Sequence, residues 1–417
     1  MTQQEIPVFI QTAFPQQPDL DRWQQMTREE AGLAYEMTLR NELSGGTPVV
    51  REFEKNWREW CGLDYSLTTM NGSSALYSAY FGLGVGPGDE VICPTYTWIC
   101  TIAPALFLGA RPVFAESDPN TLQLDPEDVR RRITPRTRAI VAVHLWGNVC
   151  DMDGLLAVSR ETGVPVLEDC SHAHGARYRG QVVGSLGKVG IWSLQGSKPV
   201  SAGEGGILAT SDPLVFERAC LAGQVNRMGG VDLITRTYAF LQPFGLGMKF
   251  RAHPLGIGIA SVQFGKLEKL NRARKEYVEA VEERIAQIPG FRPVGVQPQA
   301  ERGGFYAFPV FYQPGPGSRA RAADMIGFIQ AEGLAAAVSP YPLLHMLSLF
   351  AKGFDLFTGE RGPLCGDYTG YHEGDFPATE AMFKNLIFLP ILSDPVPGAV
   401  DKIEEILRRA ADRAMRF

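Results

Sequence analysis

This 417-residue chain has no cluster of lysine and arginine, no C-x-x-C pair and no long apolar run. Each absence removes a class of function. With 40 Lys and Arg against 46 Asp and Glu, a net charge of −6 and a pI near 5.7, it offers no basic surface for nucleic acid or an anionic membrane. Its seven cysteines (Cys61, Cys93, Cys100, Cys150, Cys170, Cys220 and Cys365) are odd in number and widely scattered. That argues against both a disulfide framework and a zinc site, so most are expected as buried, reduced thiols and no metal is expected. The opening Met1-Thr2-Gln3-Gln4-Glu5 has no basic stretch leading into an apolar core, and nothing downstream could span a bilayer. A cytoplasmic location is expected.

What is present is apolar mass, 45% of residues, in a chain longer than one hydrophobic core usually organises. The expected division is an N-terminal extension over 1–43, a large domain over 44–255 and a smaller C-terminal α+β domain over 256–417. Short apolar runs alternate with amphipathic stretches at Glu90–Cys93, Pro112–Phe114, Ala139–Val143, Val164–Leu167, Val189–Trp192 and Gly206–Ala209. This pattern predicts βα units and an α/β fold on a mostly parallel sheet, whose ligands bind beyond the strands' carboxyl ends. Pro48–Gly62 predicts an amphipathic helix on Val50, Phe53, Trp57 and Trp60, and Asn71-Gly72-Ser73-Ser74 opens a second one running to Gly82. From Thr210 to about Leu255 the pattern is irregular, with Met228-Gly229-Gly230 and Phe244–Gly247 suggesting long loops near a site or an interface. A long helix over Ile257–Ile288, a strand over Phe305–Tyr312, a turn at Gln313–Ser318 and a final helix over Val400–Met415 follow.

Lys198 lies just after a predicted strand, in Ser193-Leu194-Gln195-Gly196-Ser197-Lys198, and before Gly203-Glu204-Gly205-Gly206. Most lysines end in solvent, but glycines on both sides allow close backbone approach to a ligand, and partial burial would free the amine for attack on a carbonyl. Glu168-Asp169-Cys170-Ser171-His172 follows another predicted strand. A lone D-x-x-H more often caps a turn, yet one βα unit before such a lysine Asp169 fits a partner for a pyridine nitrogen, the electron sink of pyridoxal phosphate. His172 would lie nearby, with His174 structural. For the phosphate, Gly72, Ser73 and Ser74 combine a tight turn, two hydroxyls and a helix N-terminus, and Ser193 adds another hydroxyl. Trp98, after the strand ending at Cys93, is the candidate to stack on the ring, although an aromatic there is more often core.

These motifs, with Ser44-Gly45 before Phe53-Glu54 and Gly86-Pro87-Gly88-Asp89-Glu90-Val91-Ile92, resemble the DegT/DnrJ/StrS family of pyridoxal-phosphate sugar aminotransferases. The resemblance implies the aspartate-aminotransferase fold, type I, and a homodimer with a shared active site. It also implies a Schiff base on Lys198, Asp169 on the pyridine nitrogen, His172 by the ring hydroxyl, Trp98 stacked, and Gly72, Ser73 and Ser193 on the phosphate. The donor would be glutamate or glutamine, and the acceptor a ketone of a sugar or cyclitol. One subgroup of the family carries histidine in place of the lysine and dehydrates, so Lys198 favours transamination. Two positions depart from the pattern. Lys249 stands where a partner subunit usually supplies asparagine to the phosphate, and a cation could serve there as a point charge. Pro199 replaces the asparagine common in nucleotide-sugar members, which leans towards a cyclitol or related ring. Tyr341 and His345 are candidate substrate contacts that packing would explain equally well. The alternatives are a dehydratase or amino-hydroxybenzoate synthase on the same scaffold, and a non-catalytic regulatory homologue.

Overall fold

Short runs of apolar residues buried on both faces build the centre of the molecule. The computed structural model describes residues 14–225, 227, 233–315 and 318–416, so Met1–Glu5, Met228-Gly229-Gly230 and two residues of the Gln313–Ser318 turn lie outside the described residues. The central strands are β1 (Tyr65–Thr69), β2 (Glu90–Pro94), β3 (Arg111–Ala115), β4 (Thr137–Val143) and β5 (Val166–Asp169). After the short pair β6 (Arg177–Tyr178) and β7 (Gln181–Val182) come β8 (Val189–Ser193) and β9 (Gly206–Thr210). Seven of these form one sheet in the order β1-β9-β8-β5-β4-β2-β3. All its neighbours pair in parallel except β9, which is antiparallel to both β8 and β1. The chain steps from β2 outward to β3 and then back across to β4, so the strand order reverses at β2, where a crevice opens beyond the strand ends.

Alternation along each strand sends side chains into two separate apolar layers. Val91, Cys93 and Ile191 enter one, with Leu76 and Ala79 of the helix above them, whereas Ile92 and Trp192 enter the other, with Trp57. Three helices precede β2: α1 (Arg28–Leu39), α2 (Pro48–Cys61) and α3 (Gly72–Gly82). Between β2 and β9 lie α4 (Ala103–Phe107), α5 (Pro126–Arg132) and α6 (Met152–Thr162). The stretch after Thr210 is less irregular than its glycines suggest. It holds α7 (Pro213–Gly223), whose Asp212 side chain accepts from the N–H groups of Leu214 and Val215, and which packs against α3. Strand β1 carries no clear apolar signal either, because Ser66, Thr68 and Thr69 interrupt it and Glu54 binds Thr68 from the side.

The long helix α8 (Pro254–Ile285) links two cores. Ile257, Ala260 and Leu267 join the layer around Trp57, while Tyr277, Val281 and Ile285 join a third cluster. That cluster packs the three-stranded sheet β10 (Phe291–Pro293), β12 (Phe308–Tyr312) and β13 (Leu386–Leu389) against α9 (Ala322–Ala331) and α12 (Ala399–Ala414). The intervening β11 (Ala300–Glu301) pairs with β6. The short helices α10 (Ser348–Lys352) and α11 (Pro377–Phe383) complete this part. No described helix is long and apolar enough to cross a membrane.

Candidate active site

The carboxyl ends of β2, β5 and β8 and the first turn of α3 converge on a cavity of about 550 Å³. Its position at the order reversal follows from the sheet topology. Gly72 and Ser73 from α3, Trp98 from the β2 loop, Asp169 and His172 from β5 and its turn, and Ser193 and Lys198 from β8 and its loop all line it. The sequence thus named seven side chains and backbone positions that the fold brings to one place.

Asp169 ends β5 and is buried. Its Oδ2 accepts from Thr101 Oγ1 at 3.0 Å and its Oδ1 from the Ser171 N–H at 3.1 Å, so both oxygens are oriented. Lys198 is buried too, at 6% exposure, and among the described residues no carboxylate ion-pairs with it. Burial pulls its amine down to about 7, against the opposing pull of Asp169 and Cys100. A lysine with that value is a free nucleophile and proton acceptor near neutral pH.

His172 is held in one tautomer. The Trp146 N–H donates to its Nδ1 at 3.3 Å, which leaves the proton on Nε2, 3.1 Å from the Tyr341 hydroxyl. Burial and the neighbouring Lys198 hold His172 well below the ordinary histidine range, so it is neutral. Its ring lies nearly parallel to Trp146, 5.0 Å away at 19°, and to Tyr306, 4.2 Å away at 25°. Trp98 stands at the mouth, 43% exposed, with its ring 5.0 Å from that of Tyr341.

At the start of α3, Asn71 Oδ1 accepts from the Ser74 N–H at 2.8 Å and the Ser74 hydroxyl bonds back to Asn71. Gly72 and Ser73, whose N–H groups have no acceptor within the helix, line the cavity. A Cβ on Gly72 would come within 2.9 Å of Ser193 Cβ, so only glycine lets β8 and α3 close into this cradle.

Three residues singled out in the sequence lie outside this chain's cavity. Ser74 does not line the cavity, because its hydroxyl and its N–H are both engaged in the helix cap. Lys249 is exposed and bridges to Gln224, away from the cavity of its own chain. His345 is buried between Thr95 Oγ1, at 2.6 Å, and Glu380 Oε1, at 3.1 Å, and so braces the β2 loop from behind. Tyr341, by contrast, lines the cavity, and burial keeps its phenol protonated. Sequence reasoning did not find Thr101, Trp146 or Tyr306. Thr101 alone left a trace, three residues after Trp98 in the same loop. Tyr306 falls within the expected strand over Phe305–Tyr312, which in fact begins at Phe308.

A reactive buried amine, an oriented carboxylate, free helix N–H groups and an aromatic wall in one cavity have clear parallels. A family model, the DegT/DnrJ/EryC1/StrS aminotransferase family, matches residues 24–408. The chain belongs to that family. Among relatives of this family member, Protein MosB of Rhizobium meliloti is 36% identical over 259 residues, 60% of this chain and 51% of that protein. GDP-perosamine synthase of Caulobacter vibrioides is 38% identical over 238 residues, 57% of this chain and 62% of that one. The matched stretch therefore spans only about half to two thirds of these two proteins. An L-glutamine:2-deoxy-scyllo-inosose aminotransferase of Streptomyces fradiae is 33% identical over 290 residues, 68% of this chain and 67% of that protein. Among solved structures, 3-amino-5-hydroxybenzoic acid synthase matches with TM-score 0.78 and 28% identity, covering 95% of this chain and all of that one. DesV of S. venezuelae matches with TM-score 0.77 and 27% identity over 93% and 95%.

Proposed function

We propose that this chain is a pyridoxal-phosphate-dependent aminotransferase that moves an amino group from glutamate or glutamine to a ketone of a sugar or cyclitol. The observation that carries this reading is Lys198: a buried amine brought down to about 7, in one cavity with the oriented carboxylate of Asp169. Pyridoxal phosphate, when bound, supplies an aldehyde that condenses reversibly with amines and a protonated ring that withdraws electrons from the adjoining carbon.

The residues fit that group. Lys198 Nζ would bond to the aldehyde, Asp169 would hold the proton on the ring nitrogen, and neutral His172 would lie by the ring with its Nε2–H committed to Tyr341. The Gly72 and Ser73 N–H groups and the Ser193 hydroxyl form the anion cradle, favoured by the positive end of α3. Trp98 and Tyr341 form the wall against which a flat or hydroxylated ring packs. Once an incoming amine displaces it, Lys198 Nζ can take up and return a proton at neutral pH. A second copy would complete the cavity, with the partner subunit's Lys249 as a point charge towards the phosphate, and the protein would act in the cytoplasm.

Two of the relatives named above act, by their names, on 2-deoxy-scyllo-inosose and in GDP-perosamine synthesis, which supports a hydroxylated ring ketone as acceptor. The likeness to 3-amino-5-hydroxybenzoic acid synthase favours a second reading, an aromatising loss of water on the same scaffold. Purified protein given pyridoxal phosphate and then borohydride should keep the cofactor covalently on the Lys198 peptide by mass spectrometry after free cofactor is removed, and Lys198→Ala should keep none there. Nitrogen from labelled glutamine or glutamate should then appear in the product of a ring ketone. Water loss without labelled nitrogen would favour the second reading, and a protein that takes up no cofactor would overturn both.

A further inference from the structure

The Lys198 amine does not hang free in the cavity. Its Nζ lies 3.5 Å from the centre of the Tyr306 ring, the closest cation–ring approach among the described residues. Tyr306 in turn is fixed from several sides. Its hydroxyl is 2.8 Å from Ser197 Oγ, one residue before the lysine, and its ring stacks on that of His172. The backbone leading to it passes through two left-handed residues, Gly304 (φ +70°) and Phe305 (φ +42°). α8 holds that turn: Asn271 Oδ1 accepts from the Gly304 N–H at 2.8 Å, and Arg274 Nη1 donates to the Gly304 carbonyl at 2.7 Å. Against it lies a second left-handed turn, Trp146-Gly147, so close that a Cβ on Gly147 would be 2.3 Å from the Gly303 carbonyl oxygen.

So much backbone constraint for one ring needs a purpose, and the face of a tyrosine is a weak electrostatic acceptor that binds a desolvated ammonium well. We propose that Tyr306 is a positioning residue that seats the ε-amine of Lys198, holding Nζ on its ring face whenever that amine is not bonded to the cofactor. This rests on the aminotransferase reading. It adds that the amine, after gaining a proton, stays at one place as an ammonium and returns the proton from there. The other groups that face Nζ are Asp169 on β5, Cys100 after β2, and His172 and His174 in the turn after β5. Burial keeps both histidines neutral, so neither competes for the proton.

The test uses the full chain freed of cofactor. Lys198 is acetylated with acetic anhydride from pH 5 to 10, and its peptide is quantified by mass spectrometry. The wild-type rate should reach half its plateau near pH 7. Tyr306→Leu keeps an apolar wall and removes the ring, so its half-point should fall by about 0.5 to 1 pH unit. Tyr306→Phe keeps the ring and should stay within about 0.2 pH unit of wild type. Should the leucine variant not fold, Tyr306→Met makes the same comparison. A half-point that is unmoved or raised without the ring, or that falls as far with phenylalanine, overturns the proposal. Cofactor uptake by the wild-type protein is measured separately, so failure of the aminotransferase reading stays distinguishable.

Discussion

A single buried amine carries a stability cost in this protein. In the folded chain Lys198 titrates near 7, against 10.5 in the open chain. The folded pKa is the lower one, so below pH 7 the unfolded state is favoured by the whole difference, and the cost fades as pH rises to 10.5. Lys198→Met should therefore stabilise the cofactor-free protein by a few kcal/mol at or below neutral pH, on the order of 1.4 kcal/mol for each pH unit that separates the two values. Denaturant unfolding at pH 7 and pH 10.5 checks this: the gain should be nearly gone at the higher pH, and an equal gain at both would refute it. The Thr101 hydroxyl orients Asp169. Thr101→Val removes a hydrogen bond to a carboxylate worth about 1.5 to 3 kcal/mol. Spectrophotometric titration should show pyridoxal phosphate binding weakened roughly tenfold or more, with the Asp169 side chain still present.

Helix starts and turns, not loops alone, set the cavity. The first turn of α3 meets β8 at Gly72, where a methyl group would strike Ser193 Cβ. Gly72→Ala should destabilise by about 1–3 kcal/mol through overpacking, and should also weaken cofactor binding by pushing the N–H groups of Gly72 and Ser73 away from Ser193. Asn71→Ala removes the cap without adding a Cβ against Ser193 and should cost about 1 kcal/mol. Comparing cofactor affinity and melting temperature in the two variants separates closure of the cradle from stability of the helix. On the opposite wall, Arg274 of α8 supports the Gly304 and Phe305 carbonyls and also bonds Ser393 Oγ. Arg274→Ala leaves these groups without their donor and should lower stability by about 1–3 kcal/mol, measured by the denaturation midpoint. Arg274→Lys should recover only part of it, because an ammonium lacks the planar fork.

Across the whole molecule, one segment leaves an unusual amount of apolar surface uncovered. Ile234, Phe240, Phe244, Leu246 and Met248 are all exposed, Phe240 by 79%. Large exposed aromatics on one segment are characteristic of a contact surface, and Lys249 adjoins them. The proposed dimer would use this segment as its contact surface. Phe240→Asp with Phe244→Asp should give a monomer by light scattering, with weakened cofactor uptake. A stable dimer in that variant would move the interface elsewhere. The same helix α8 joins two cores, and Asn271 and Arg274 lie midway along it.

The sequence by itself determined the parallel sheet, because runs such as Val189–Trp192 are too short for helices and too apolar for a surface. It also placed Lys198 and Asp169 beyond strand ends, because a strand end and a glycine-rich turn are local patterns. It does not reveal α7 among the glycines after Thr210, or β1, whose polar residues are satisfied by a glutamate from α2. It offers Ser74 to the phosphate, although the same hydroxyl closes the helix cap. Only the tertiary structure decided which groups surround the amine. Tyr306 and Lys198 are 108 residues apart, and their meeting depends on a left-handed turn at Gly304-Phe305 held by α8 and on a second, Trp146-Gly147, packed against it. Periodicity reports what each segment prefers to bury. Which distant ring comes to face a particular nitrogen is decided by packing between segments, which no short stretch of sequence encodes.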